Sequence, residues 1–196
     1  MRDLSLHILD VVENATAADA DLVEIKITQD SEQDLLEVMI RDNGRGIDKK
    51  MLEKVSDPFT TTRTTRRVGL GLPLLEQAAR EAGGSLTVNS DPGHGTEVRA
   101  RFQASHIDRK PIGDMGATLI SLIMGSPDID FIYESDFDGE RTTLDTREIR
   151  AELGGEIALN DPLVLNLIKE LFADSRPAPG DFVNAKGGNE NGEVAG

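Results

Sequence analysis

Asp10 and Asn14 stand four residues apart in LSLHILDVVENAT, so on a helix both side chains share one face. The pair could serve a metal: an amide oxygen is a hard ligand for Mg2+, and a carboxylate one turn away can orient or deprotonate a nearby water. The same spacing also occurs in a solvated polar stripe, so these two residues alone do not decide. A second group is DNGRG, residues 42–46. There Asp42 could accept a hydrogen bond from an exocyclic amine, while Gly44 and Gly46 let backbone approach a flat ring that side chains would block. A third is FTTTRTTRRVGLGL, residues 59–72, in which five threonines and the guanidiniums of Arg63, Arg66 and Arg67 precede Gly69 and Gly71. Those glycines lead into a helix, whose free amides and positive end favour phosphate oxygens. In a fourth, GHGTEVRARF, Gly95 and Thr96 open a strand and could return a hydroxyl to a bound base. No G-x-x-x-x-G-K-[ST] occurs, so a P-loop is excluded.

These residues need elements to hold them. A helix is expected over residues 4–18, with Leu4, Ile8, Val11 and Val12 on one side. Residues 22–28 alternate as a half-buried strand with Val23, Ile25 and Ile27 inward, and SEQD turns the chain into a second strand over 35–41. An Asn-Gly pair after such a run usually marks a hairpin. Here, however, Ile47 and DKKMLEKV follow, with Asp48 placed to cap a helix over 48–55, which is a helix start where a hairpin needs a strand. After the Thr- and Arg-rich loop, Leu70, Leu74, Leu75, Ala78, Ala79 and Ala82 mark one face of a helix stopped by Gly83 and Gly84. Two strands over 85–90 and 96–102 are joined by DPGHG.

Beyond residue 104 the pattern changes. Asp114 is placed to cap a helix running to Met124, DFDG to turn a hairpin between strands 131–134 and 141–144, and Pro162 to open a helix to about Phe172. Asp128, Asp130, Glu134, Asp136 and Asp138 lack the spacing of an EF-hand loop and read as an acidic hairpin. From Ser175 the chain is Pro, Gly, Asn and acid, the composition of a disordered tail.

Composition bounds what the chain can do. Its 196 residues are 38% apolar and 4% aromatic, so the core is aliphatic, and no stretch reaches the ~18–20 apolar residues of a membrane helix. Without cysteine there is no disulfide and no thiolate zinc site, and the acids inside the N-terminal apolar run do not fit a signal peptide; a cytoplasmic protein is expected. A net charge of −15 argues against an electrostatic grip on nucleic acid. Residues 105–196 hold 18 acids against 8 bases and residues 1–104 hold 18 against 13, an asymmetry that suggests two segments with different jobs.

In order and spacing, LDVVENATAADA, DNGRGI and DPFTTTR…VGLGLPLLEQAAREAGGSLTVNSDPGHGTEVRARF resemble the ATP-binding domain of the GHKL superfamily, and the second half is most similar to the histidine-kinase catalytic domain. The resemblance implies an α/β two-layer sandwich, helices on one face of a mixed sheet, over residues 1–104. Residues 105–174 then form a small acidic α+β extension and 175–196 the tail. It implies ATP and Mg2+ as cofactors. Asn14 is the Mg2+ ligand, Asp42 receives the adenine amine, Gly44 and Gly46 floor the pocket, and Thr96 backs the base. Phe59, Thr60, Thr61 and Arg63 belong to the ATP lid, and Gly69, Leu70, Gly71 and Leu72 lie at the phosphates. Asp10 falls where gyrase-like and mismatch-repair members carry a glutamate general base, one methylene longer. ATAADA offers no Lys or Arg where histidine kinases often place a phosphate contact, a role the lid arginines could take.

With the first helix starting within a few residues of Met1, neither a helical hairpin bearing a phosphoacceptor histidine nor the strand that usually precedes that helix is expected here. His7 reads as structural; His94 and His106 lie in loops without the acid and proline that flank a phosphoacceptor. The unpaired sheet edge is one that a partner or the C-terminal segment could cover. The expected function is therefore an ATP·Mg-binding, histidine-kinase-like regulator that phosphorylates or switches a separate protein, reached through the extension or the lid. An ATPase switch and a non-catalytic, anti-sigma-like binding module are the alternatives.

Overall fold

The structure is a computed structural model and describes residues 3–48, 71–154 and 157–173. The expected helix over 48–55 (Asp48 aside), the lid and the tail lie outside these residues.

Helix α1, Leu4–Thr16, begins where Asp3 caps it, its carboxylate accepting from the Leu6 N–H. Two more of its first-turn donors are met from across the fold. The Leu4 N–H donates to the Pro111 carbonyl (2.9 Å) and the Ser5 N–H to that of Ile112 (2.7 Å), so the linker after residue 104 is pinned across the helix start. Strands β1, Leu22–Asp30, and β2, Leu35–Asp42, form an antiparallel hairpin. Helix α2, Gly71–Glu81, ends before the Gly83-Gly84 pair, as the sequence predicts. Strands β3, Ser85–Asp91, and β4, Gly95–Gln103, pair antiparallel, and β4 lies antiparallel on β2.

The second segment gives helix α3, Met115–Gly125, capped by Asp114; the β5–β6 hairpin, Asp130–Phe137 and Glu140–Asp145; helix α4, Thr146–Glu152; and helix α5, Pro162–Ala173. Strand β5 runs parallel to β1, from Leu22↔Asp130 to Gln29↔Phe137, so one six-stranded mixed sheet results in the order β3-β4-β2-β1-β5-β6. The free edge expected beside β1 is thus covered by the C-terminal segment, and the alternating pattern of β1 continues across it: Val23, Ile25 and Ile27 are buried, and so are Phe131 and Tyr133 on β5.

Helices α1, α2 and α3 cover this apolar face. Val11 and Val12 of α1, Leu75 of α2, Leu119 and Ile123 of α3, Phe102 of β4 and Phe131 of β5 belong to a single buried cluster that spans both segments. Each fully buried aliphatic or phenyl side chain there stabilises the fold by about 1.5–3 kcal/mol. Helix α5 packs on α3 and brings Phe172 to Tyr133, ring centroids 5.3 Å apart. The opposite face of the sheet is polar, with Glu37 bridging Arg99 (2.8 Å) and Arg101 (2.7 Å).

Helix α4 is an element the sequence pattern does not predict. Asp145 caps it, and the buried Thr146 hydroxyl accepts from the Phe131 N–H (2.8 Å) and donates to Asp130 (3.0 Å). The acids of the second segment are separately engaged: Asp130 with Arg150, Glu134 with Lys26, Asp136 with Arg141 and Asp138 with Ser31. Among the described residues no group of three or more His, Asp or Glu is placed to hold a metal ion, and no helix is long and apolar enough to cross a membrane.

Candidate nucleotide site

The candidate residues form two groups, one where α2 starts against α1 and one where the end of β2 meets the α1–β1 connection and the β3–β4 turn. On α1 the Asn14 amide Nδ2 donates to the Asp10 carbonyl (3.0 Å), one turn back, which fixes the orientation of the carboxamide. Gly71 packs against the same turn, where a Cβ would come within 2.8 Å of Asp10 Cβ. Leu72, the next residue, is buried beneath α2 and anchors its first turn in the core. So Asp10, Asn14 and Gly71 do come together, with Leu72 next to them in the chain. Phe59, Thr60, Thr61, Arg63, Gly69 and Leu70 lie outside the described residues.

DNGRG is no hairpin turn. Its backbone is strung between two other loops. The Arg45 N–H donates to the Ala18 carbonyl (2.9 Å) and the Arg45 guanidinium to that of Ala17 (2.8 Å), while the Arg45 carbonyl accepts from the Gly93 N–H (2.8 Å). Asn43 ties the loop to the start of β1, its Oδ1 accepting from the Asp21 and Leu22 N–H groups, both at 3.1 Å. Gly44 lies flat on the α1–β1 connection, a Cβ there falling 2.7 Å from the Ala18 carbonyl oxygen. Gly46 has φ +70°, and a side chain would collide with the Asp91 carbonyl. The glycines are therefore required by the approach of neighbouring backbone.

Asp42 and Thr96 are register partners on β2 and β4. The Asp42 carboxylate accepts from the Gly44 N–H (2.9 Å) and from the Thr96 N–H. Burial raises its pKa above the usual carboxylate range, and those two N–H bonds pull it partly back. Gly95, with φ +85°, lies so close to the Asp42 carbonyl that no side chain fits. A cleft of about 370 Å3 wraps these strand ends, lined by Asp42, Ser90 and Thr96 from one face and by Arg41, Asn89 and Glu97 from the other.

Two contributors, Ser90 and Asn43, are not singled out by the sequence pattern, and Gly95 is read there only as opening the strand. Ser90 reads as one more polar residue in β3, yet its Oγ meets Ile47, Gly95 and Thr96. Asn43 reads as half of a turn dipeptide. The x in D-x-G-x-G and the glycine before Thr96 could have pointed to Asn43 and Gly95. His7, one turn before Asp10, is buried with neither ring nitrogen hydrogen-bonded. Burial, and then the positive charge of Lys110, lower its pKa from 6.5 to about 4, against the opposing pull of Asp3. It is a neutral core residue, as expected.

This arrangement offers a carboxylate and a hydroxyl at a half-buried strand end, glycines closed in by neighbouring backbone, an amide and a carboxylate on one helix, and a second helix whose start packs on that helix.

Residues 2–106 match the family described as histidine kinase-, DNA gyrase B- and HSP90-like ATPases. Among curated proteins, the chain is 33% identical over 106 residues to the sensor histidine kinase YxdK of Bacillus subtilis, a match covering 50% of this chain and 32% of that protein. It is 33% identical over 100 residues to the non-motile and phage-resistance protein of Caulobacter vibrioides, covering 48% and 12%. The matched region thus spans a third or less of these relatives. Among solved structures, the Aquifex aeolicus MutL ATPase domain complexed with ADP aligns at TM-score 0.45 and 17% identity, over 79% of this chain and 70% of that one.

Proposed function

Because the chain belongs to the histidine kinase-, DNA gyrase B- and HSP90-like ATPase family, we propose that it is an ATP·Mg2+-binding, histidine-kinase-like regulator that phosphorylates or switches a separate partner protein. The observation that carries this reading is the half-buried Asp42 carboxylate. It is held at the end of β2 by Gly44 and Thr96, over glycines that leave no room for side chains. Its remaining lone pairs can accept from a further donor, and an adenine amino group is such a donor.

In this reading Asp42 takes the base, Gly44 and Gly46 form the floor and Thr96 backs the ring. Asn14 supplies an oxygen to the metal. Gly69, Leu70, Gly71 and Leu72 bring backbone to the phosphates, and Phe59, Thr60, Thr61 and Arg63 close over them. Bound Mg2+ would supply charge neutralisation at the phosphates. Asp10 holds its carboxylate on the face of α1 that carries Asn14, where it can take a proton from the attacking group. That group is water in an ATPase and a partner's nucleophile in a kinase.

Purified protein, γ-labelled ATP and a cell extract distinguish the possibilities. Label on a partner supports transfer, free phosphate supports a hydrolytic switch, and bound but unreacted ATP leaves a nucleotide-dependent binding module. Absence of ATP binding would end the reading altogether.

A further inference from the structure

We infer that the outer side of helix α5 is a docking ridge for a basic amphipathic helix of a partner protein. This rests on the proposed function only for the existence of a separate partner, not for the nucleotide.

Helix α5 buries one side and carries an apolar row beside it. Val164 and Ile168 are buried, whereas Leu163, Leu167 and Leu171 are 71%, 60% and 40% exposed. Residues four apart on a helix stand one above another, so the three leucines form a single ridge about 12 Å long. Leucines exposed singly need no partner, but an aligned row is a contiguous apolar patch. Solvent-facing positions gain nothing from leucine, because Lys, Gln and Glu favour a helix about as well. Three of the six large apolar side chains exposed among the described residues are in this row, so the patch is concentrated on one helix. Met124, 59% exposed, lies on α3, the helix against which α5 packs.

Charge selects the occupant. The charged side chains of α5 are Lys169 and Glu170. Glu170, three residues on from Leu167, borders the ridge about 60° round the helix axis, while Lys169, two residues on, points about 160° away from it. The Asn166 amide donates to the Glu170 carboxylate (3.1 Å) and holds it along that flank. Where the ridge begins, the Asp161 carboxylate accepts from the Leu163 N–H (2.8 Å). Arg141, Arg147 and Arg150 of the same segment are already bridged to Asp136, Asp145 and Asp130. The 18 acids against 8 bases of residues 105–196 therefore leave a negative field over this surface. A second copy of the chain would bring the same carboxylates and another net charge of −15, setting like charge against the apolar gain. A helix with a leucine row and Lys or Arg beside it gains twice: its row packs along α5, and its bases meet Glu170 and Asp161.

The test uses two synthetic helical peptides of about four turns, both with leucine every fourth residue, one flanked by lysines and the other by glutamates. Each is titrated calorimetrically, without nucleotide, into wild type, Leu167→Gln, Glu170→Gln and Phe182→Ser. Thermal melts confirm folding, and sedimentation gives the state of each protein alone. The lysine peptide is expected to bind wild type and the glutamate peptide not to. Leu167→Gln weakens the lysine peptide about tenfold or more, the scale of a central apolar anchor. Glu170→Gln weakens it about two- to fivefold and flattens its salt dependence. Absence of binding to wild type overturns the proposal, and so does binding indifferent to Leu167→Gln, which is general attraction to an acidic protein. A wild-type dimer that Leu167→Gln dissociates gives the ridge to a second copy instead. Peptide binding that appears only in Phe182→Ser gives it to the chain's own C-terminal end. Should Leu167→Gln not fold, Leu163→Gln decides by the same reading. A protein that binds no ATP but binds the lysine peptide in this way loses the proposed function and keeps the ridge.

Discussion

Asp10 and Gly71 are in contact across two helices: a Cβ built on Gly71 would lie 2.8 Å from Asp10 Cβ and 3.3 Å from the Asp10 backbone carbon. The second glycine of G-L-G-L thus sets the spacing of α2 from α1. The candidate base, on one helix, and the helix start, on the other, are held in one geometry by the lack of a methyl group.

Replacing Gly71 with Ala is expected to destabilise the fold by about 1–3 kcal/mol through overpacking, offset in part by the ~1 kcal/mol better helix propensity of Ala. Urea unfolding measures the net effect. Wild-type stability together with wild-type nucleotide affinity would show that the helices have slack the contact denies.

For Asp42→Asn the expected outcome is a folded protein whose ATP affinity drops about tenfold to hundredfold, the ~1.5–3 kcal/mol of a hydrogen bond to a charged group. Isothermal titration reads it directly, and unchanged affinity would remove adenine recognition from this strand end.

Asn14 and Asp10 should separate binding from turnover. Asn14→Ala weakens ATP chiefly when Mg2+ is present, because the lost oxygen belongs to the metal. Asp10→Asn leaves ATP affinity within a few-fold and lowers phosphate release or transfer by on the order of 100-fold, since a general base acts on the attacking group. Turnover that ignores Asp10→Asn keeps the site and removes the base.

His7 predicts an acid limb in stability. Its folded pKa of about 4 lies below the ordinary 6.5, so the fold prefers the neutral ring. Above pH 6.5 both states are neutral and nothing is lost; as pH falls from there towards 4, the unfolded chain binds the proton first and stability declines. The total is about 3 kcal/mol by linkage. Comparing His7→Leu with wild type at pH 7 and pH 4.5 isolates it, and equal acid losses in both proteins would assign the limb to carboxylates.

Local pattern made much of this legible. Alternation in β1, the apolar face of α1, the Asp114 cap and the Gly83-Gly84 stop can all be read within windows of a dozen residues, because period and capping are local physics. D-N-G-R-G was readable against its hairpin alternative because a helix start follows. The partner of β5 was not, since a strand's register states which face is apolar and not which neighbour it joins. Helix α4 is too short for periodicity to register, although its Asp145 cap is an ordinary one. Ser90 was invisible for a different reason: its importance lies in the three groups around its hydroxyl, which come from three separate stretches of chain.

The parallel pairing of β5 on β1 imposes an order of events on folding. The β1–β2 and β3–β4 hairpins close over short stretches of chain, whereas Leu22 must wait for Asp130. Closing so long a loop costs roughly 4 kcal/mol of chain entropy on (3/2)RT ln n scaling, offset by the β1–β5 ladder and by burial of Phe131 and Tyr133 against the existing core. During synthesis at about 5–20 residues per second, the edge of β1 stays open for on the order of 5–20 s after it has left the ribosome. An aliphatic strand edge exposed for that long is a template for mispairing with another nascent chain, so a chaperone that shields residues 22–30 would act before β5 arrives, and slow codons placed after the β4 sequence would lower the yield of native protein.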